Sequence, residues 1–143
     1  MSAAIAGAAT PAQPNAADAS TFVPITPCRL MDTRPGDGNV GVRATPLGAG
    51  EIHVQQVTGA NGDCNLPSGI TGVALNATAI RPTARTFVTF FPTGADLPNA
   101  SNLNTTADQP PTPNKVDVRV STTGAVSIFN AFGEVHLAVD VAG

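Results

Sequence analysis

Short apolar runs separated by clusters of turn-forming residues recur along the chain from residue 22 to its end. Residues 116–120 and 135–141 place apolar side chains at every second position, as half-buried β-strands do. Residues 73–80 and 86–91 are apolar on both faces, which is typical of central strands. Because no run has a helical period, the pattern predicts a chain built from strands.

The turn clusters contain glycine, which adopts positive φ, or proline, whose φ is fixed, so each can reverse the chain. Charged residues make up only 12% of the sequence, whereas an ordinary domain has about 25%. Helical bundles and coiled coils need charged helix surfaces, and the sequence therefore excludes both classes. The clusters lie at residues 34–39, 59–63, 81–83, 92–94 and 109–114.

These features predict an all-β fold, a two-sheet antiparallel sandwich, jelly-roll-like, of about 8–9 strands. One domain over residues 21–143 accommodates it, and a barrel is the alternative. Within the run at residues 51–55 we expect Ile52 and Val54 to point inward and His53 to be exposed. Residues 1–20 are rich in Ala, Pro, Ser and Asn, too poor in large apolar side chains to form a core.

We expect residues 1–20 to form an extended arm. Ile5 is its one branched aliphatic residue, and Pro11 and Pro14 would end any helix begun before them. The arm is a candidate assembly element.

Charge, hydrophobic run length and aromatic content each weigh against one kind of partner. The net charge is −3, Lys115 is the only lysine, and six arginines are scattered singly, so no basic patch indicates nucleic acid. No apolar run reaches the 18 or more residues of a membrane-spanning helix. Trp and Tyr are absent, which weighs against a sugar-binding platform because such platforms use exposed aromatic faces.

Cys28 and Cys64 are the only cysteines. Two cysteines without a nearby histidine do not form a zinc site, so a disulfide is favoured, with reduced thiols as the alternative. A disulfide would indicate an oxidising compartment or oxidation after release from a cell.

The segment Asp32-Thr33-Arg34, with Arg29 before it, is the most distinctive polar motif. Asp32 and Arg34 share a strand face, so a hydrogen-bond network that fixes the following turn is favoured. The alternative is ligand binding, with Arg34 contacting an anion. We predict no metal site and no cofactor.

A catalytic triad of Ser127, His136 and Asp140 is excluded on geometry. His136 and Asp140 lie four residues apart on one predicted strand, a separation of roughly 13 Å. A triad needs a direct hydrogen bond between its histidine and its acid, and we predict that the protein is not an enzyme.

From Cys28 to Gly36 the sequence resembles the opening of a β-domain found repeatedly in actinobacterial secreted and cell-surface proteins, and also in phage structural proteins. That opening has the form P-x-R-L-x-D-T-R. The resemblance continues at residues 74–78, 82–83, 87–92, 98–104, 126–130 and 136–141, and covers about residues 22–143. It implies an accessory β-domain without catalytic residues.

The chain departs from that family at its end, where the aromatic residue expected after D-V-x-G is missing. We therefore expect the last strand to be open to pairing with another chain, with Val135, Leu137, Val139 and Val141 taking part.

The leading hypothesis is a non-enzymatic structural or interaction module that assembles on a surface through its arm and edge strands. Its partner would be a copy of itself or a neighbouring subunit in a virion, filament or cell envelope, so we expect a homo-oligomer or part of a larger assembly. The expected location is extracellular, at the cell surface or in a virion. The alternative is a secreted module that binds carbohydrate or cell wall, with an envelope glycan as partner.

Overall fold

A computed structural model describes residues 19–143, which form ten β-strands and no helix. The strands are β1 (Cys28–Asp32), β2 (Ile52–Gln56), β3 (Gly59–Asn61), β4 (Cys64–Leu66), β5 (Gly72–Ile80), β6 (Thr86–Pro92), β7 (Leu103–Thr105), β8 (Thr112–Arg119), β9 (Ala125–Asn130) and β10 (His136–Val141). The predictions about the arm residues Ile5, Pro11 and Pro14 lie outside the described residues.

Eight of the strands form two four-stranded antiparallel sheets. The first sheet has the order β1-β10-β5-β8 and the second the order β2-β9-β6-β7, while β3 and β4 form a separate hairpin. The pairs β1–β10, β2–β9, β5–β8 and β6–β7 are nested one inside another along the chain, which is the winding of a jelly roll. The predicted all-β sandwich is confirmed, with the hairpin as an additional element.

The two sheets enclose one apolar core. Their inner faces contribute side chains such as Leu75 and Val139 from the first sheet and Val88 and Ile128 from the second, all at most 1% exposed. Strands β5 and β6, which the sequence predicts to be central, each have a partner on both sides.

The prediction that the last strand is open to another chain is wrong. Nested pairing brings the two ends of the chain together, so β10 lies between β1 and β5 and bonds to both. Its candidate assembly residues are consequently in the core: Val135, Leu137, Val139 and Val141 are at most 1% exposed.

The predicted orientation of β2 is also wrong. Ile52 and Val54 are 50% and 55% exposed, whereas His53 and Gln55 are half-buried on the side that faces the first sheet. The alternation is as expected, but the apolar set faces outward. An edge strand can place polar side chains at the rim of the space between the sheets, where they are only partly removed from water.

Candidate functional site

An ion-pair network lies on the outer face of the first sheet, where β1 and β10 pair Arg29 with Asp140. Arg29 Nε and Nη2 donate to the two carboxylate oxygens of Asp140 at 2.8 and 3.1 Å, and its Nη1 donates to Asp32 at 3.0 Å. Arg34 donates to Asp32 from its backbone N–H and from Nε and Nη2, the last at 2.6 Å. Two arginines thus share one fully buried carboxylate.

The environment of Asp32 keeps it ionised. Burial alone would raise the pKa of this carboxyl group, but the hydrogen bonds and the positive charge of Arg34, together with Arg29, bring the pKa below its ordinary value. On the other side of the network, the hydrogen bond to Asp140 raises the pKa of Arg29. The charges of Arg29, Arg34, Asp32 and Asp140 balance.

Thr33, which lies between Asp32 and Arg34 in the sequence, forms a separate set of hydrogen bonds to His136 and Leu137 of β10. Its Oγ1 accepts from the Leu137 N–H at 3.0 Å and lies 3.0 Å from His136 Nδ1. Burial lowers the pKa of His136, which favours the neutral ring. The hydroxyl of Thr33 can then donate to Nδ1 while it accepts from the backbone.

The network joins Arg29, Asp32 and Arg34 of the sequence motif to Asp140, and its polar groups are directed at one another. Thr33 of the motif bonds to His136 and Leu137 instead. The geometry of the network suits a structural clamp between β1, β10 and the turn after β1. Ser127 is remote from it, because it lies on β9 in the second sheet and pairs with Thr93 at 3.0 Å.

Cys28 and Cys64 form a disulfide, which confirms the favoured prediction. It joins the start of β1 to the β3–β4 hairpin, with Cα atoms 5.3 Å apart. Across residues 19–143, no three His, Cys, Asp or Glu side chains are grouped so that they could hold a metal ion. The same residues include no helix long and apolar enough to cross a membrane.

The outer edge of β8 is protected against pairing with another strand. Val120 N–H donates to Thr71, and because alternate residues of an antiparallel strand bond to opposite sides, the odd-numbered residues of β8 face away from β5. Two of these, Pro111 before the strand proper and Pro113 within it, have no N–H to offer. The others are charged: Lys115, Asp117 and Arg119. Prolines and charges are the usual protection of an edge strand.

The edges formed by β1 and β7 are closed in other ways. The backbone of Asp32 exchanges hydrogen bonds with Val40, and the Arg29 carbonyl accepts from the Asp63 N–H, so β1 is covered by a loop and by the β3–β4 turn. A register shift between Arg29 and Met31 further distorts it. Strand β7 has only three residues.

The outer edge of β2 has none of these protections. The strand is Ile-His-Val-Gln-Gln, with no charged residue and no proline. In the part of the chain that the structure describes, no strand pairs with it on the side away from β9. We call residues 52–56 with this open side the β2 edge.

An exposed apolar surface continues from the β2 edge across the second sheet. Ile52 lies opposite Phe129, whose ring centroid is 5.9 Å from that of Phe87. The Phe87 and Phe132 rings are nearly perpendicular, with centroids 6.3 Å apart, and Phe132 is 58% exposed. We call these residues, together with Val54, the phenylalanine face.

Sequence reasoning missed this surface because it assigned Ile52 and Val54 to the core. A signal was nevertheless present: the β2 run lacks charge and proline, whereas the run at residues 111–119 has both.

A groove of about 920 Å³ lies at the first sheet, between residues 20–25, the loop at 66–72 and strand β8. Its lining is mostly apolar and includes Phe22, Ile70 and Val118. Ser20, at its border, hydrogen-bonds to Thr71 at 2.9 Å. The predicted arm therefore joins the sandwich beside this groove.

Comparisons of the chain with models of protein families, with curated proteins and with solved structures found no match. The resemblance to the actinobacterial β-domain therefore stays a prediction.

Proposed function

We propose that this protein is a structural interaction module that assembles with copies of itself through the second sheet. The observation that carries the proposal is the β2 edge, an open strand without charge or proline that adjoins the phenylalanine face. A strand of this kind presents unpaired backbone groups and apolar side chains together, which is the combination that another protein chain can cover.

Side chains that water now contacts would supply part of the free energy of association. Ile52 and Val54 are 50% and 55% exposed, and fully burying such a side chain contributes about 1.5–3 kcal/mol. Burying their exposed halves would contribute roughly half of that for each residue. This burial and the new backbone hydrogen bonds would act against the loss of translational and rotational freedom on association.

The proposed setting is outside the cytoplasm, at a cell surface or in a virion. The Cys28–Cys64 disulfide supports this, because disulfides form and persist in oxidising environments. The resemblance to secreted and phage β-domains supports the same setting. A jelly roll by itself supports no particular function, since one fold serves many.

Replacement of Val54 by lysine tests the proposal. We expect wild-type protein to show a molar mass in solution that rises with concentration, and Val54→Lys to shift it toward the monomer, because a charge would be buried in the contact. Val42→Lys is the matched control, since Val42 is fully exposed and lies in a loop outside this surface. Light scattering coupled to gel filtration gives the masses.

A wild-type chain that stays monomeric over the whole concentration range contradicts the proposal, as does equal association of both variants. A chain lacking residues 1–18 tests the arm in the same experiment. We expect it to fold normally and to associate less, and unchanged association would exclude a role for the arm.

A further inference from the structure

The backbone of β2 shows which of its groups are open. Asn130 N–H donates to the Glu51 carbonyl, and Val57 N–H donates to the Gly124 carbonyl, so residues 51 and 57 face β9. Because facing directions alternate along an antiparallel strand, the N–H and C=O groups of Ile52, Val54 and Gln56 point away from β9. No other strand in the described residues meets them, although the Gln56 carbonyl accepts from the Gln55 side-chain Nε2 at 2.9 Å.

Another extended backbone has the spacing that matches these groups, so a strand is the protein partner that they suit. The side chains favour a second copy of β2 over an unrelated strand. The strand is neutral, so two copies can meet without like charges opposed, and the nearest acid, Glu51, is already paired with Arg43. An isologous contact between identical strands also closes after two copies.

We infer that two copies of this protein pair their β2 strands antiparallel around a two-fold axis at Val54, so that the two second sheets become one eight-stranded sheet. The inference rests on the proposed function and specifies its geometry. Each Val54 lies opposite Val54 of the second copy, and each Ile52 lies opposite Gln56 of the second copy.

This register follows from overlap and from the faces of the sheet. Val54 is the middle residue of β2, so an axis there pairs the whole strand. The open groups of Ile52 and Val54 gain partners, and the Gln56 carbonyl, which accepts from Gln55 Nε2 at 2.9 Å, would exchange that donor for the Ile52 N–H of the second copy. This axis keeps the outward side chains of both copies on one face, and it places His53 opposite Gln55 of the second copy, on the other face. A shift by one residue would put exposed apolar side chains opposite half-buried polar ones.

Cysteine cross-linking tests the register. Opposite residues of a hydrogen-bonded antiparallel pair have Cα atoms about 5.5 Å apart, which is within disulfide range. Val54→Cys should therefore form a covalent dimer under mild oxidation. In Ile52→Cys the two cysteines would be four residues apart along the strands, roughly 13 Å, so this variant should form no covalent dimer.

A mixture of Ile52→Cys with Gln56→Cys should cross-link, because these positions are opposite in the inferred register. Val42→Cys reports chance collisions of an exposed thiol. We expect a shift of most Val54→Cys chains to twice the monomer mass on non-reducing gels, with Ile52→Cys alone at the Val42→Cys level.

The outcomes separate this inference from the proposed function. If wild-type protein associates and Val54→Lys prevents it, but Val54→Cys and the mixture cross-link no more than Val42→Cys, the two-fold pairing is wrong and the interaction surface stands. If Ile52→Cys alone cross-links as well as Val54→Cys, the register is wrong. If wild-type protein does not associate, both fail.

Discussion

At the scale of single residues, the Asp32 carboxylate is the most constrained polar group of the first sheet. It has no exposure to water, and it accepts hydrogen bonds from the side chains of Arg29 and Arg34 and from the Arg34 backbone. Arg29 and Arg34 themselves are 35% and 38% exposed. The network therefore depends on the buried acid more than on either arginine, because water can solvate an arginine that loses its partner.

We expect Asp32→Asn to lower the free energy of unfolding by about 2 kcal/mol, because a neutral amide loses the charge-assisted hydrogen bonds of the carboxylate. Urea denaturation at pH 7 measures this. The control is Asp117→Asn, which removes an exposed pair with Lys115 and should change stability by less than about 0.5 kcal/mol. Equal effects of the two substitutions would show that the buried network contributes no more than a surface pair.

At the scale of elements, the β3–β4 hairpin is attached to β1 by two different constraints. One is the Cys28–Cys64 disulfide. The other is the close approach of the hairpin turn to the backbone of β1: Gly62 has φ +56°, and a Cβ at this position would lie 2.4 Å from the Leu30 carbonyl oxygen. The hairpin and β1 therefore pack too closely for a side chain at position 62.

Gly62→Ala should destabilise the protein more than Gly59→Ala. Both glycines have positive φ, at which a side chain costs about 1 kcal/mol, but a Cβ at Gly59 would contact nothing within 4 Å. The extra loss at Gly62 comes from the clash with the backbone of β1. Urea midpoints of the two variants give the comparison, and a loss at Gly59 that matched the loss at Gly62 would contradict the close packing.

At the scale of the whole molecule, stability should fall on acidification. Burial lowers the pKa of His53 and of His136 in the folded protein, so the unfolded chain binds protons more readily than the folded chain. By linkage, the contribution of each histidine is fully present above the unfolded pKa of about 6.5. It decreases as the pH falls below that value, toward the lower folded pKa. Asp32 and Glu51, whose pKa values are also lowered, add a further loss in more acidic solution.

We expect the urea midpoint to be lower at pH 5.5 than at pH 8. His136→Asn, whose side-chain oxygen can accept from Thr33 but does not titrate, should show a smaller decrease, and the double variant with His53→Asn a smaller one still. A decrease of the same size in all three proteins would mean that the histidines are not the cause.

Much of the fold could be predicted from particular residues. The alternation at 116–120 and 135–141 and the doubly apolar runs at 73–80 and 86–91 predicted strands that the structure contains, whereas the turn clusters at 59–63 and 109–114 include β3 and the first residues of β8. The short strands β3, β4 and β7 have three residues each, which is too few for a period to be recognised.

The site was less predictable. The Asp32 motif indicated a local network because its residues are neighbours in sequence, but the contribution of Asp140 depends on the pairing of β1 with β10, a contact between residues 111 positions apart. The face on which Ile52 and Val54 lie could not be read from the sequence, because strict alternation defines two faces without saying which one meets the core.

The sequence by itself determined the class of this protein. Its strands and turns follow from local backbone preferences and from the period of its apolar side chains, which act between near neighbours. Only the tertiary structure decided which strands have neighbours on both sides. Nested pairing placed the last strand, predicted to be open, in the middle of a sheet and left β2 at an edge. The physical reason is that hydrogen bonds between strands join residues far apart in sequence, so whether an edge is open depends on how the whole chain winds.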